Sequence, residues 1–292
     1  MKNVSDMALD ISSLAIQAMM YEATCSPSPG LVSANSQGSH EDMDFYLFID
    51  STASLVKYFT LCAEKGINSV DYTGLFYELR ELGKNAELNM LKKTGGVNTQ
   101  KGLIFLLGIG CAAGGIIASK GLKLLDVRHI IQKMTKGITE RELTCIDKNK
   151  LPLSHGEELF LKYGVTGIRD EVESGLPIIF DFSLDFYKNC DKLNKNSQLV
   201  NTLIGIMQYC QDTNIIYRHS LEVLNEVQER ASHIIEIGGM ATAAGQIAIR
   251  NLDLEFCTRK ISPGGSADLL ASTIFFSLLE KYLSNNTTLF IV

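Results

Sequence analysis

Nineteen residues from Ser26 to Asp44, SPSPGLVSANSQGSHEDMD, form a polar loop that closes on His40, Asp42 and Asp44. So long a structureless stretch is uncommon in a compact domain unless it carries function. An imidazole moves protons near neutral pH. The two carboxylates offer hard oxygens to Mg²⁺, which takes one or two carboxylates and fills its other positions with water and phosphate oxygens. Asp42 and Asp44 are two apart, so on a helix they point to different faces, and they share an ion only if one of them precedes the helix. The competing reading makes Asp42 the cap of a helix beginning near Met43, and from spacing alone that is the commoner outcome.

Four further blocks concentrate polar residues at helix starts. In GGVNTQKGLIF, Gly95 to Phe105, Asn98 or Thr99 caps a helix and Lys101 supplies a cation. A helix start has unpaired N–H groups and partial positive charge, so it suits a phosphate as well as an ordinary cap. In SHGEELFLKYGVTGIRDEVESGLP, Ser154 to Pro177, a short helix and a glycine turn separate His155 and Glu157 from Arg169 and Glu171. Arg169 either clamps a phosphate or makes an ion pair, and the pair is the more frequent case. DTNIIYRHS, Asp212 to Ser220, supplies a carboxylate and Arg218. In TRKISPGGSADLLA, Thr258 to Ala271, Arg259 and Lys260 lead into a Ser262-Pro-Gly264-Gly265 turn, with Ser266 at an N-cap position and Asp268 in the first helical turn. An anion site and a tight interhelical turn explain that block equally well. No His-Asp dipeptide of a metal phosphohydrolase and no Gly-x4-Gly-Lys-Ser/Thr phosphate loop occurs.

The elements that must hold these blocks read as helices. Apolar residues recur at helical spacing over Met7–Cys25, Met43–Glu64, Tyr72–Leu91, Lys101–Ser119, Asp126–Met134, Glu157–Tyr163, Asn196–Cys210, Ser220–Glu236 and Ser266–Leu283. LPIIFDF, Leu176–Phe182, is the one tempting strand, and it also fits a helix start after Pro177. The expectation is an all-α, single-domain, multi-helix bundle over residues 1–292, since no repeat period and no Pro- or Ser-rich linker is present. Gly102 to Ser119 carries no charge and touches the lower limit for a membrane span. It is single, short and dotted with Gly108, Gly110, Gly114 and Gly115, so a buried, glycine-rich central helix is expected and no membrane association.

Composition narrows the function classes. Hydrophobic residues make up 46% of the chain, enough for a sizeable core. The net charge of −6 argues against a nucleic-acid partner. Seven cysteines are scattered without a Cys-x-x-Cys spacing, and MKNVSDMALD has no signal-peptide pattern, so a reduced, cytoplasmic protein is expected, with its cysteines in the core. The glycosylation triplets at Asn285 and Asn286 are then chance matches. A homodimer stays open, for no heptad or exposed apolar stripe argues for one.

In this order, PGLV…GSH.DMD, GVNT.KG.IF.LG, GITEREL (Gly137 to Leu143), YGVTGIR.E…G.P, DTN…R and ISPGGSADLLA resemble the signature blocks of the triphosphoribosyl-dephospho-coenzyme A synthase family, from about residue 16 to 280. Six ordered blocks are far more specific than any one of them. The resemblance implies an all-α enzyme that joins ATP to 3′-dephospho-coenzyme A with loss of adenine. Its product is the precursor of the prosthetic group on the acyl carrier subunit of citrate lyase or malonate decarboxylase, so the carrier machinery is an expected partner. A ribose hydroxyl displaces adenine at the anomeric carbon of ATP through an oxocarbenium-like state. The resemblance then implies Mg²⁺ on Asp42, Asp44, Asp212 and Asp268. Lys101, Arg169, Arg218 and Arg259 are its cations, and Asn98, Thr99, His155, Ser262, Gly264, Gly265 and Ser266 further nucleotide contacts. Glu22 or Asp42 is the expected base and His40 the expected acid.

The chain also departs from the family pattern. Ser33-Ala34 replace a usual Asp-Arg, Gln100 a usual His, Asp170 a Gly, and His219-Ser220 a Gly pair. Two rivals follow: a nucleotide N-glycosidic hydrolase, in which water replaces the ribose hydroxyl, and a non-catalytic nucleotide-binding relative.

Overall fold

The computed structural model describes residues 4–144 and 153–287. Cys145 and Thr288, the last residue of the second glycosylation triplet, lie outside them. Among the described residues there are thirteen α-helices and no strand, with one isolated bridge between Ser33 and Ser36. The all-α expectation holds, and the ambiguous Leu176–Phe182 stretch is helical: Ile178–Ser183 is a π-helical segment that runs into the next α-helix.

Contacts divide the chain into two compact units, each gathered from separate parts of the sequence. Unit 1 comprises Met1–Ala23, Phe45–Lys136 and Ala271–Val292, and unit 2 comprises Thr24–Asp44 and Gly137–Leu270.

Unit 1 is built on α1 (Asp6–Thr24), α2 (Phe45–Ile67), α3 (Tyr72–Lys93), α4 (Lys101–Lys120), α5 (Asp126–Thr135) and most of α13 (Gly264–Thr287). Asp71 starts α3 by accepting from the backbone N–H of Thr73 and Gly74. Helix α4 is long and apolar enough to cross a membrane, yet 78% of its apolar window is buried inside the protein. A helix that is hydrophobic all round belongs in a core. Its glycines make this possible. A Cβ at Gly115 would stand 2.4 Å from the carbonyl oxygen of Ala63 on α2, and Gly110 and Gly114 accommodate Phe275 and Leu279 of α13. Between α1 and α2 an apolar groove stays open, lined by Leu9, Ile16, Met20 and Val56 among others. Leu9 is 48% and Met20 51% exposed, so the exposed apolar surface absent from the sequence reading does exist.

Unit 2 contains α6 (His155–Tyr163), α7 (Ile168–Glu173), α8 (Leu184–Asn189), α9 (Lys195–Met207), α10 (Thr213–Arg218), α11 (Leu221–Glu236), α12 (Ala243–Arg259) and the first turns of α13. Every residue of α9 from Ser197 to Met207 is buried, so this helix is the unit's core. Periodicity does not reveal α7, α8 and α10, which have six residues each. It also misses the seventeen-residue α12, and for a different reason. Ile249, Leu252 and Phe256 are buried there while Ile247 and Leu254 face solvent, so apolar residues occupy both faces and no helical stripe emerges.

Candidate active site

The Ser26–Asp44 loop is fastened within unit 2. Gly30 has φ +69°, its N–H donates to Asp253 Oδ1 at 3.2 Å, and a Cβ there would fall 2.0 Å from the Ile261 carbonyl oxygen, so only glycine fits. The backbone N–H of Ser39 donates to Gly30 O at 3.0 Å, and its hydroxyl donates to the carbonyls of Phe256 and Ile261. This strapping delivers His40, the next residue. His40 Nε2 lies 2.9 Å from Ser262 Oγ, and Nδ1 lies 3.8 Å from Asp42 Oδ1.

Three consecutive residues after α12 serve as the anchor. Lys260 adopts left-handed φ +57°, a costly conformation for a residue with a Cβ. Its carbonyl lies 3.0 Å from His219 Nε2 and its ammonium 2.9 Å from Glu41. Ile261 holds Ser39, and Ser262 holds His40. Burial lowers the pKa of His40 from 6.5, the charges of Arg218 and Lys260 lower it further, and Asp42 opposes them. The neutral imidazole is therefore the resting form near pH 7. A neutral imidazole can accept a proton, whereas the expected acid role uses the imidazolium.

A second centre forms around Asp212, which is 1% exposed. Its Oδ1 accepts from the N–H groups of Asn214 and Ile215 at the start of α10, at 3.1 and 3.4 Å. Its Oδ2 accepts from Ser266 N at 2.9 Å and Ser266 Oγ at 3.2 Å at the start of α13. One carboxylate thus caps two helices. Burial still raises its pKa, and burial followed by the Asp212 charge raises that of Asp268 well above the usual carboxylate range. Gly264 and Gly265 allow this closeness, for Cβ atoms on them would stand 2.6 Å from Asn214 Nδ2 and 3.1 Å from Asp212 Oδ2.

Other expected residues are placed elsewhere. The Arg259 guanidinium bonds Glu226 at 2.6 and 2.8 Å and Glu255 at 2.7 Å, and Arg230 shares both carboxylates. It braces α11 against α12. Arg259→Ala is expected to lower stability by about 1 kcal/mol in urea unfolding and to leave KM for ATP within twofold. Arg169 pairs with Glu142 at 2.8 Å, the structural outcome, and the His155 ring stacks on Tyr217 with centroids 3.6 Å apart. Asp44 is exposed. In unit 1, Asn98 Oδ1 accepts from Lys101 N at 3.2 Å, Thr99 donates to Ser51 at 2.7 Å, and Lys101 Nζ pairs with Glu87 at 2.5 Å. Glu22 is buried in α1, 4% exposed. Lys260, Glu41 and Tyr217 escaped the sequence reading as site neighbours. The Lys-Ile-Ser spacing beside the SPGG turn was the one available signal, for their partners lie far away in sequence.

Among the described residues no three of His, Cys, Asp and Glu converge as a metal cage. The buried Asp212 and the partly buried Asp268, whose carboxylates repel one another, are the donor set suited to a hard cation that takes its other ligands from phosphate and water. Asp42 faces His40 instead.

A family model described as CitG, ATP:dephospho-CoA triphosphoribosyl transferase, matches residues 8–287. The chain belongs to this family. A Klebsiella pneumoniae protein named 2-(5''-triphosphoribosyl)-3'-dephosphocoenzyme-A synthase is 35% identical over 278 residues, covering 92% of this chain and 91% of its own. A Lactiplantibacillus plantarum protein, whose name reads "probable" before the same words, is 37% identical over 92% of this chain and 97% of its own. Protein CitXG of Leuconostoc mesenteroides is 36% identical over 91% of this chain, which spans 58% of that longer protein. No solved structure matches. As a family member the chain is an enzyme, a transferase that joins ATP to 3′-dephospho-coenzyme A with release of adenine.

The departures from the family pattern have structural partners. His219 ends α10 and bonds the Lys260 carbonyl. Ser33 pairs with Ser36, backbone to backbone. Gln100, 1% exposed, is held by Ser51 and Thr52 of α2. Asp170 is exposed and its carboxyl takes a long 3.5 Å contact from Ser174.

Proposed function

We propose that unit 2 carries the proton-transfer and triphosphate-binding chemistry of the transferase. The observation behind this reading is His40: an imidazole 2.9 Å from Ser262 Oγ, whose pKa is lowered by burial and by the charges of Arg218 and Lys260. The chemistry requires a base for the ribose hydroxyl of 3′-dephospho-coenzyme A, because that oxygen attacks the anomeric carbon of ATP as the bond to adenine breaks. His40 takes that proton. Arg218 and Lys260 supply positive charge for the triphosphate, and Ser266 and Gly265 hold Asp212 at the start of α13.

Asp268, with Asp212 beside it, would hold Mg²⁺. These carboxylates would give Mg²⁺ its protein ligands, and the ion would supply positive charge against the phosphates and against the repulsion between the two carboxylates. Asn98, Thr99, Lys101 and Glu22 stay nucleotide-site candidates on unit 1. The enzyme works in the cytoplasm, where both substrates are made, and its product passes to the carrier machinery of citrate lyase.

The pH profile of adenine release tests the base. Burial and the neighbouring cations lower the pKa of His40, so its proton-accepting form dominates above neutral pH and is lost as pH falls through that lowered value. kcat should be flat from about pH 7 to 8 and fall tenfold per pH unit on the acid side. An acidic limb centred above pH 7 would contradict the assignment.

A further inference from the structure

We propose that the open face of α1 and α2 in unit 1 is a dimer interface, and that the same face of a second copy of this chain covers it. Leu9 and Met20 on α1 and Ile49 and Val56 on α2 are each between 41% and 51% exposed. The groove between the helices has no charged residue in its lining. An exposed apolar face of this kind marks an interaction site.

Hydrogen bonds fix how the two helices lie. The Ser5 N–H and hydroxyl donate to Glu64 Oε2 at 3.1 and 2.7 Å, and the Ser12 hydroxyl donates to the Val56 carbonyl at 3.2 Å. Moving up α1 from Ser5 to Ser12 therefore moves down α2 from Glu64 to Val56, so the helices run antiparallel. Residues at one level have numbers that sum to 69 at the first bond and 68 at the second. Leu9 is then level with Thr60 and Met20 with Ile49, while Asp10 lies within about one residue of the level of Lys57.

A two-fold axis running along the groove keeps every level and exchanges the two sides, so α1 of one copy lies over α2 of the other. Met20 then meets Ile49, and Leu9 meets Thr60 and Val56. Asp10 comes against Lys57. Both are exposed, and Lys57 makes no ion pair among the described residues. Each contact is made twice, as an isologous interface requires. Opposite charges at the border and none in the groove let two chains of net charge −6 approach through this face.

The area is sufficient. The nineteen-residue α1 is about 28 Å long and two helices side by side are about 20 Å wide, so each copy contributes about 560 Å². The pair buries about 1,100 Å², just above the roughly 1,000 Å² that a specific interface needs. A Kd in the micromolar range follows from so small an interface. The inference depends on unit 1 alone and not on the role of His40.

Sedimentation equilibrium of the full chain over about 1–200 µM tests it, with melting curves to show that each variant is folded. The wild type should pass from one chain mass to twice that mass with rising concentration. Met20→Glu and Val56→Glu should each raise Kd about tenfold or more, since each places an unpaired carboxylate in the contact twice over. Lys57→Glu and Asp10→Lys should each weaken self-association. An equimolar mixture of those two variants should associate more tightly than either alone, because the mixed pair restores opposite charges at both borders. A wild type that stays at one chain mass throughout, or a dimer left intact by Met20→Glu and Val56→Glu, would overturn the proposal. A mixture no tighter than its components would overturn the two-fold arrangement.

Discussion

His40→Gln should lower kcat for adenine release by about 10²–10⁴-fold, the usual contribution of a positioned general base. The amide keeps a polar group against Ser262 but cannot accept the hydroxyl proton as a base. Because the loop is strapped through Gly30 and Ser39, upstream of the ring, the fold around the substitution should survive. The thermal midpoint should shift by no more than a few degrees and KM for ATP by no more than about threefold, since in the proposed site Arg218 and Lys260, not His40, supply the charge for the triphosphate. Steady-state kinetics beside a melting curve measure all three quantities. A loss of binding with kcat preserved would make His40 a substrate contact and remove the base from unit 2.

Asp212→Ala should be the most damaging change to the scaffold. The substitution removes the cap of α10 and the tie to the first turn of α13, and leaves the buried N–H groups of Ile215 and Ser266 without their acceptor. Loss of a helix cap costs about 1 kcal/mol and loss of hydrogen bonds to a charged group about 1.5–3 kcal/mol, so a drop of about 2–4 kcal/mol is expected. Activity should fall with it, because Asp268 and Ser266 lose their placement. Asp212→Asn should cost less, since its amide oxygen still accepts at one of the two helices. Urea unfolding of both variants measures the difference. Equal stability of Asp212→Ala and wild type would mean that the carboxylate does not bridge the two helices.

Signals that belong to single segments could be read from the sequence. Helices α2, α3, α4 and α11 show themselves through their apolar spacing, and α4 through eighteen uncharged residues. The glycines of the PGLV and SPGG blocks were legible because a positive φ or a close approach leaves few alternatives. Side-chain pairing across the sequence was not. Glu226, the partner of Arg259, is 33 residues away. Ser266, which bonds the Asp212 carboxylate, is 54 residues away from it. Nothing near His40 in sequence announces Ser262, 222 residues on, or the cations that lower its pKa. The discontinuous make-up of the two units has no local signature at all, since no linker marks their boundaries.

The most direct test of triphosphoribosyl transfer by this chain is adenine release measured together with acceptor mass. Purified protein would be incubated with ATP, Mg²⁺ and 3′-dephospho-coenzyme A, with each left out in turn. The predicted result is adenine only when both substrates are present, matched by an acceptor heavier by one triphosphoribosyl group. Adenine without the acceptor would show a hydrolase, and ATP binding without adenine under any condition would show a family fold that has lost the family reaction.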